Sequence, residues 1–250
     1  MTPELPTRLA QREATRGSTP VMFQRWSELL FLHWTFEPDV IARTLPTGLS
    51  LDTFDGKAWI GLVPFRMSRI RPRGLPAVPW LSAFPEMNVR TYVIDEAGRA
   101  GVWFYSLDAA RWLAVHFARR AFQLPYFHAS MTVSRDAESG WIDYHSRRHD
   151  GRAEATFRYR GAGEEREAEP GTLEFFLVER YLLLARDSRR GGSLRGGYVA
   201  HPPYRFRDAE VGAFGVEPLI AAGLPEPVGP PAHAAYVEGV DVSVFPLERG

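Results

Sequence analysis

The stretch LDTFDGKAWIGLVPFRM, Leu51–Met67, decides the fold class. Two apolar runs flank Asp55-Gly56, a dipeptide that strongly favours a two-residue β-hairpin turn. In the second run, residues 58–63 are apolar on both alternating parities, which is typical of a strand covered on two sides. The stretch therefore predicts a β-hairpin that leads into a buried sheet.

The same pattern of short apolar runs and turn signals recurs along the chain. GWIDYHSRR and RAEATFRYR are separated by the turn residues 149–151, HDG, which form a second hairpin signature. Helices are predicted to be few and short: residues 38–44, a segment that starts from Asp108 as N-cap, and a first turn within residues 171–180. The sequence predicts a mainly β protein of the β-rich α+β class.

The domain organisation follows from length and patterning. Mainly β chains of 250 residues often form a single domain. Residues 1–20 are polar and have no periodic apolar positions, which predicts a flexible N-terminal arm. Residues 21–250 are expected to form one domain.

The composition limits the partners of the chain. Thirty basic and thirty acidic residues cancel, so no overall field attracts nucleic acid or an anionic membrane. No apolar run approaches the roughly 18 residues of a membrane helix, and the N-terminus has no apolar leader, so a cytoplasmic location is expected. No nucleotide-binding or serine-hydrolase motif is present. We expect no cofactor, and a small molecule or another protein, including a second copy of the chain, as partner.

Two residue types narrow the chemistry further. The chain has no cysteine, and its single lysine, Lys57, directly follows the predicted turn, where nothing lowers the pKa of an amine. His145 and His149 would lie close enough on one face to share a metal ion only on a helix, whereas their segment has a strand and turn pattern. The sequence predicts neither a catalytic amine nor a metal site.

A polar row lies in FPEMNVRTYV, residues 84–93. The period of two places Glu86, Asn88, Arg90 and Tyr92 on one face of a strand. Such a row is either a solvated face or the wall of a cavity. Because the neighbouring segments are rich in aromatic residues on both parities, we interpret it as a cavity wall.

A second polar row lies in LPYFHASMTV. Tyr126, His128, Ser130 and Thr132 share one parity, and apolar residues occupy the other. From the alternation alone this row is either a solvent face or part of the same wall.

Several motifs, in this order, resemble the YqjF-like family of uncharacterised bacterial proteins: WSELLFLHW, LDTFDGKAWIGLVPFRM, FPEMNVRTYV, GVWFYSLDA, LPYFHA, SRR, ERY and HPPY. That family is remotely similar to the acetoacetate decarboxylase superfamily. The resemblance implies a cone-shaped, mainly antiparallel β-barrel that encloses a small-molecule cavity.

The decarboxylase pattern Gly-Arg-Glu, two residues, Gly, one residue, Pro-Lys-Lys can be aligned with ARRAFQLPYF. The alignment places Arg119 on the arginine of the pattern, Tyr126 on its Schiff-base lysine and Phe127 on the adjacent lysine. Glu86 falls near an acidic residue of the decarboxylase pocket. Since both amines are missing, the resemblance implies the cavity without Schiff-base decarboxylation.

The first functional hypothesis is an enzyme of lyase, isomerase or hydrolase type that acts on a small anionic or carbonyl-containing substrate. Glu86 is the candidate general base and Tyr126 the candidate donor to an oxyanion. Candidate substrate-binding residues are Arg90, Arg119, Glu179, Tyr181 and His201, with the arginines holding the anion.

Two alternatives remain open from the sequence. One is a non-catalytic module that binds or senses an apolar or aromatic metabolite. The other is a barrel filled by aromatic side chains, in which the polar rows are packing networks at a subunit interface. A cavity of roughly 300 Å³ or more favours a ligand, and a filled interior favours packing.

Overall fold

The computed structural model describes residues 4–76, 83–111, 124–187 and 193–248, which contain twelve β-strands and four α-helices. The strands, in chain order, are β1 Met22–Phe36, β2 Leu49–Leu51, β3 Ala58–Pro72, β4 Phe84–Asp95, β5 Ala100–Ala109, β6 Tyr126–Arg135, β7 Ile142–Arg148, β8 Glu154–Glu167, β9 Leu182–Asp187, β10 Ser193–Ala200, β11 Arg205–Ala213 and β12 His233–Leu247. The helices are α1 Leu5–Arg12, α2 Pro38–Ala42, α3 Leu173–Val178 and α4 Glu217–Ala221. The predicted mainly β class with a few short helices is confirmed.

All twelve strands belong to one sheet, in the order β10-β9-β5-β6-β7-β8-β11-β12-β1-β3-β4-β2. Additional pairings of β10 with β12 and of β4 with β5 close this sheet on itself. The resulting ring consists of β12, β1, β3, β4, β5, β9 and β10. The strand pairs are antiparallel except for β5–β6 and β5–β9, which are parallel.

Strands β1 and β3 of the ring are buried on two faces, because the ring interior covers one face and the remaining strands of the sheet cover the other. Leu29 and Phe31 of β1 pack inside the ring, whereas Leu30 and Leu32 pack on its outer face against β7 and β8. The adjacent β3 is buried in the same way, which explains why residues 58–63 are apolar on both parities.

Bulges bend the long strands β1 and β3 around the ring. Glu28 has a φ of 54° and Arg69 a φ of 51°, and the pairing register of β1 with β3 shifts close to each of these residues. An extra residue in one strand increases its local bend and twist, so these positions let 15-residue strands follow a curved wall.

The turn predictions have different outcomes. The turn at 149–151 connects the antiparallel strands β7 and β8, which confirms that hairpin. At the other turn, Asp55 and Gly56 have φ angles of 49° and 69°, as a two-residue hairpin turn requires. This turn is flanked only by the single Phe54–Lys57 bridge and does not join two paired strands of the described sheet. The strand before it, β2, pairs with β4 instead of β3.

Two local predictions are wrong. Residues 5–12 do not form a flexible arm but helix α1, which is held by polar contacts to the sheet. Asp108 is not a helix N-cap: it belongs to β5, is 1% exposed and forms a 2.7 Å ion pair with Arg148. Of the segment predicted as a helix, residues 108–120, residues 112–120 lie outside the described residues. None of the described helices has the length and apolar composition needed to cross a membrane.

Candidate functional site

The described residues line a partly open cavity of about 100 Å³ inside the ring. Its wall is mostly apolar, which is typical of ligand sites. Its polar lining residues are Gln24, Glu86, Asn88, Arg90, Tyr126, Arg180 and Tyr204. The volume is below the roughly 300 Å³ of common small-molecule pockets, so by size alone the interior is closer to the filled-barrel alternative. The remaining space fits a ligand of a few heavy atoms and not a large aromatic metabolite.

Glu86 lies in the cavity wall on the inward parity of β4 and is 3% exposed. Burial raises the pKa of its carboxyl from 4.5 to about 8, and the nearby Asp108 adds to the rise, while a hydrogen bond from Tyr126 opposes it. The Tyr144 hydroxyl fixes the main chain here by donating to the Glu86 carbonyl oxygen at 2.8 Å. Glu86 is therefore a protonated carboxyl that can exchange a proton close to neutral pH.

Tyr126 is the direct partner of Glu86. Its hydroxyl donates to Glu86 Oε2 at 3.1 Å, and burial together with the neighbouring carboxyl raises its pKa well above 10. The parallel pairing of Tyr126 with Leu107 of β5 brings β6 to the cavity. The two residues that the sequence selected as catalytic candidates thus form one hydrogen-bonded pair.

The rest of the polar row on β6 does not reach the cavity. Ser130 and Thr132 are exposed, whereas Ala129, on the other parity, is buried. His128 stacks on His149, with ring centroids 4.1 Å apart. The row is a cavity wall at Tyr126 and a solvent face beyond it.

Arg90 also lines the cavity and is 9% exposed. Its Nη2 donates to the Leu177 carbonyl oxygen at 3.0 Å and to the Tyr92 hydroxyl at 3.3 Å, whereas its buried Nε has no hydrogen-bond partner among the described residues. Gly61 of β3 makes room for this packing, since a Cβ there would lie 3.2 Å from Arg90 Cγ. Glu86 and Arg90 both face inward, as the alternation of β4 predicts.

A buried network behind Arg90 fixes its position. The Tyr92 hydroxyl donates to the Leu177 carbonyl oxygen at 2.8 Å and lies 2.7 Å from His33 Nε2. Because that hydroxyl proton is already used, we infer that His33 donates through Nε2, which leaves its Nδ1 to accept from His233 at 3.1 Å. Burial, His233 and Arg90 hold the pKa of His33 well below 6.5, so the imidazole is neutral.

Arg180, which the sequence analysis did not select, is a second arginine of the cavity wall. Its Nε donates to the Phe176 carbonyl oxygen at 2.7 Å and its Nη1 to Asp52 Oδ2 at 2.9 Å, while its buried Nη2 has no hydrogen-bond partner among the described residues. Burial lowers its pKa to about 10, although Asp52 opposes this change, so the guanidinium stays charged at pH 7. In the sequence, Arg180 stands two residues after the apolar run FFLV, as the middle residue of the motif ERY.

The other candidate binding residues do not line this cavity. Glu179 accepts hydrogen bonds from Arg12 at 3.0 Å, from the Tyr204 amide at 3.0 Å and from the Tyr181 hydroxyl. His201 stacks on Tyr181, with ring centroids 4.7 Å apart. Neighbouring residues of an extended segment point in opposite directions, so Arg180 enters the cavity while its neighbours on both sides form a separate cluster. Arg119 lies outside the described residues.

The charged groups around the cavity have an excess of positive charge. Arg90, Arg180 and Arg8, which pairs with Asp52 behind Arg180, contribute three positive charges against the one negative charge of Asp52. Glu86, with a pKa of about 8, is mostly neutral at pH 7. The arrangement can hold an anion beside a proton-exchanging carboxyl.

Comparisons with known proteins agree with this architecture. The uncharacterized protein YqjF of Bacillus subtilis (strain 168) is 36% identical over 231 residues, which cover 92% of both chains. The enduracididine biosynthesis enzyme MppR, complexed with the condensation product of pyruvate and imidazole 4-carboxaldehyde, has a TM-score of 0.61 at 15% identity, with 92% of this chain and 89% of MppR covered. An acetoacetate decarboxylase-like enzyme from Sphingomonas wittichii RW1 has a TM-score of 0.60 at 13% identity, with 93% and 94% covered.

These likenesses confirm the predicted acetoacetate decarboxylase-like fold and the resemblance to YqjF. The model of the family DUF2071, described as an uncharacterized conserved protein, matches residues 23–241, which is most of the chain. The chain belongs to this family.

Proposed function

We propose that the chain binds a small carboxylate in the cavity and that the Glu86–Tyr126 pair exchanges a proton with the bound molecule. One observation carries the proposal: Arg90 and Arg180 both line the cavity, and each has a buried donor, Nε of Arg90 and Nη2 of Arg180, without a hydrogen-bond partner among the described residues. Buried donors of this kind are costly unless a ligand or water accepts from them. A carboxylate is the acceptor that complements a guanidinium best.

The polar groups beside the arginines extend this argument. Asn88 Oδ1 is also buried at the cavity wall without a partner among the described residues. Glu86 lies two residues before it on the same inward parity of β4. An acid that presents its carboxylate to the arginines can also place a carbonyl where it accepts from the protonated Glu86 carboxyl. A hydroxyl on the same acid could instead donate to Asn88 Oδ1.

The size and chemistry of pyruvate make it the first ligand to test. MppR, which shares the fold, is described in complex with a condensation product of pyruvate. Pyruvate has six heavy atoms and one negative charge, which suits a small, positively charged cavity. The second hypothesis, a binding module for an apolar or aromatic metabolite, is less well supported because the cavity is small and its polar donors would stay unpaired.

Imine chemistry does not form part of the proposal. Lys57 is the only lysine of the sequence, and its Nζ forms a 3.0 Å ion pair with Glu37 on the surface. The position that the decarboxylase pattern gives to lysine is Tyr126, whose hydroxyl cannot condense with a ketone. The residues of the cavity wall support acid–base chemistry.

Titration of the wild-type protein with pyruvate at pH 7 tests the proposal. We expect saturable heat in calorimetry, and about 2.7 kcal/mol of added stability at 100 times the dissociation constant. Pyruvamide, which has a similar size and no charge, is the control ligand and should bind far more weakly. Equal binding of pyruvamide, or no binding of pyruvate and other small carboxylates, would contradict the proposal.

Exchange of the pyruvate methyl protons with deuterated solvent, followed by NMR, separates an enzyme from a binding module. If Glu86 exchanges a proton with the ligand, wild-type protein accelerates this exchange and Glu86→Gln does not. Binding without any acceleration would favour the non-catalytic alternative.

We predict that Tyr126→Phe raises the pKa of Glu86, because it removes a hydrogen bond that stabilises the ionised carboxylate. It should also cost roughly 1 to 3 kcal/mol of stability, because Glu86 Oε2 loses its donor. A ¹³C NMR titration of the Glu86 carboxyl measures the shift. Tyr105→Phe, which removes a hydroxyl bonded to Thr44, is the matched control. An unchanged or lower Glu86 pKa in Tyr126→Phe would show that this hydrogen bond does not tune the carboxyl.

A further inference from the structure

Helix α1 is attached to the sheet by polar contacts. None of its residues is buried, so no hydrophobic face holds it in place. Gln11 Nε2 donates to the Ala100 carbonyl oxygen at 2.7 Å, Arg12 pairs with Glu179 at 3.0 Å, and Arg8 pairs with Asp52. A helix of eight residues is marginal on its own, so these contacts decide whether α1 stays attached.

Arg8 is connected to the cavity wall through the carboxylate of Asp52. Asp52 is fully buried, and Arg8 donates to both of its carboxylate oxygens, at 2.6 Å and 2.7 Å. Asp52 Oδ2 also accepts from Arg180 Nη1 at 2.9 Å. One carboxylate is therefore shared by an arginine of α1 and an arginine of the cavity wall.

This sharing sets the charge that the cavity presents. With Arg8 in place, Asp52 balances only one of the two guanidinium groups that it contacts. Without Arg8, the carboxylate would balance Arg180 alone, and the positive charge behind the cavity would fall by one. Arg180 would then attract an anion less strongly.

We propose that Arg8 is a positioning residue for the anion site, acting through Asp52 and Arg180, and that attachment of α1 and binding of a small carboxylate are linked. The inference rests on the proposed function of the cavity. Linkage is reciprocal, so a bound anion must favour the attached helix as much as the attached helix favours the anion. An N-terminal segment outside the family match at 23–241 thereby becomes part of the site.

Calorimetric titration of full-length variants with pyruvate tests the proposal. We expect Arg8→Gln to weaken pyruvate binding about fivefold or more, the lower end of common coupling effects. Arg8→Lys keeps the charge next to Asp52 and should retain most of the affinity, which a purely structural role of the arginine fork would not allow. Arg16→Gln, at an exposed residue that pairs only locally with Glu13, is the matched control and should bind like wild type.

Hydrogen exchange measures the reverse effect, that of the bound anion on helix α1. It uses wild-type protein, so the result does not require any variant to fold. In wild-type protein, saturating pyruvate should slow amide exchange in residues 5–16. Unchanged affinity in Arg8→Gln, or equal losses in Arg8→Lys and Arg8→Gln, would overturn the role of Arg8. Unchanged exchange in residues 5–16 would overturn the linkage. Failure of wild-type protein to bind pyruvate or another small carboxylate would instead remove the proposed function itself.

Discussion

Replacing Glu86 by glutamine is expected to give a protein that gains stability relative to wild type as the pH rises. The folded protein holds the Glu86 proton up to a pKa of about 8, whereas the unfolded chain releases it near 4.5. Between these values the folded state binds more protons, so this group's contribution to wild-type stability is complete below pH 4.5 and is lost as the pH rises to 8. Because glutamine does not ionise, Glu86→Gln does not lose this stability between pH 4.5 and 8.

The expected effect is large. The shift from 4.5 to about 8 corresponds to stability on the order of 5 kcal/mol at 1.36 kcal/mol per pKa unit. Urea denaturation of wild type and Glu86→Gln at several pH values between 4 and 9 measures the difference. Glu164→Gln, at an exposed residue of β8, is the control and should leave the pH dependence unchanged. A constant stability difference between wild type and Glu86→Gln would show that the Glu86 carboxyl ionises normally in the fold.

Arg90→Gln is expected to reduce the affinity for pyruvate by roughly 30-fold or more. Loss of one partner from a buried, hydrogen-bonded charge pair costs about 2 to 5 kcal/mol of binding free energy. The glutamine removes both the charge of Arg90, which lines the cavity, and its buried Nε donor, which has no hydrogen-bond partner among the described residues. Calorimetry at pH 7 measures the dissociation constant, and thermal unfolding checks that the variant is folded.

Two comparisons make this result specific. Arg158→Gln removes an arginine that is exposed and pairs with Asp143 at 2.9 Å, so it should not change the affinity. Arg90→Lys keeps the charge without the planar fork and should fall between wild type and Arg90→Gln. A dissociation constant of Arg90→Gln within twofold of wild type would exclude Arg90 as an anion-binding residue.

The fold could largely be predicted from the sequence because the patterns that indicate it are local. Turn residues at 149–151 and apolar residues on both parities of 58–63 are short-range patterns, and the structure contains the hairpin and the doubly buried strand that they predict. The strand partner of β2 was not accessible, since pairing with β4 depends on the closure of the whole sheet. Asp108 was misread as an N-cap because its actual partner, Arg148, is 40 residues away.

The candidate site could be predicted from the sequence only in part. The alternation on β4 identified Glu86 and Arg90 because a strand has a strict period of two. Arg180 and helix α1 carry no such period, since their contacts join Asp52 to residues 44 and 128 positions away. Polar contacts between distant segments leave no pattern in a single sequence.

A crystal structure of the protein soaked with pyruvate tests the central claim most directly. We predict pyruvate inside the ring, with its carboxylate in hydrogen-bond contact with Arg90 Nε or Arg180 Nη2 and its carbonyl on the side of Glu86 and Tyr126. Electron density for pyruvate only at the protein surface, or a cavity that holds water alone at a saturating concentration, would contradict it.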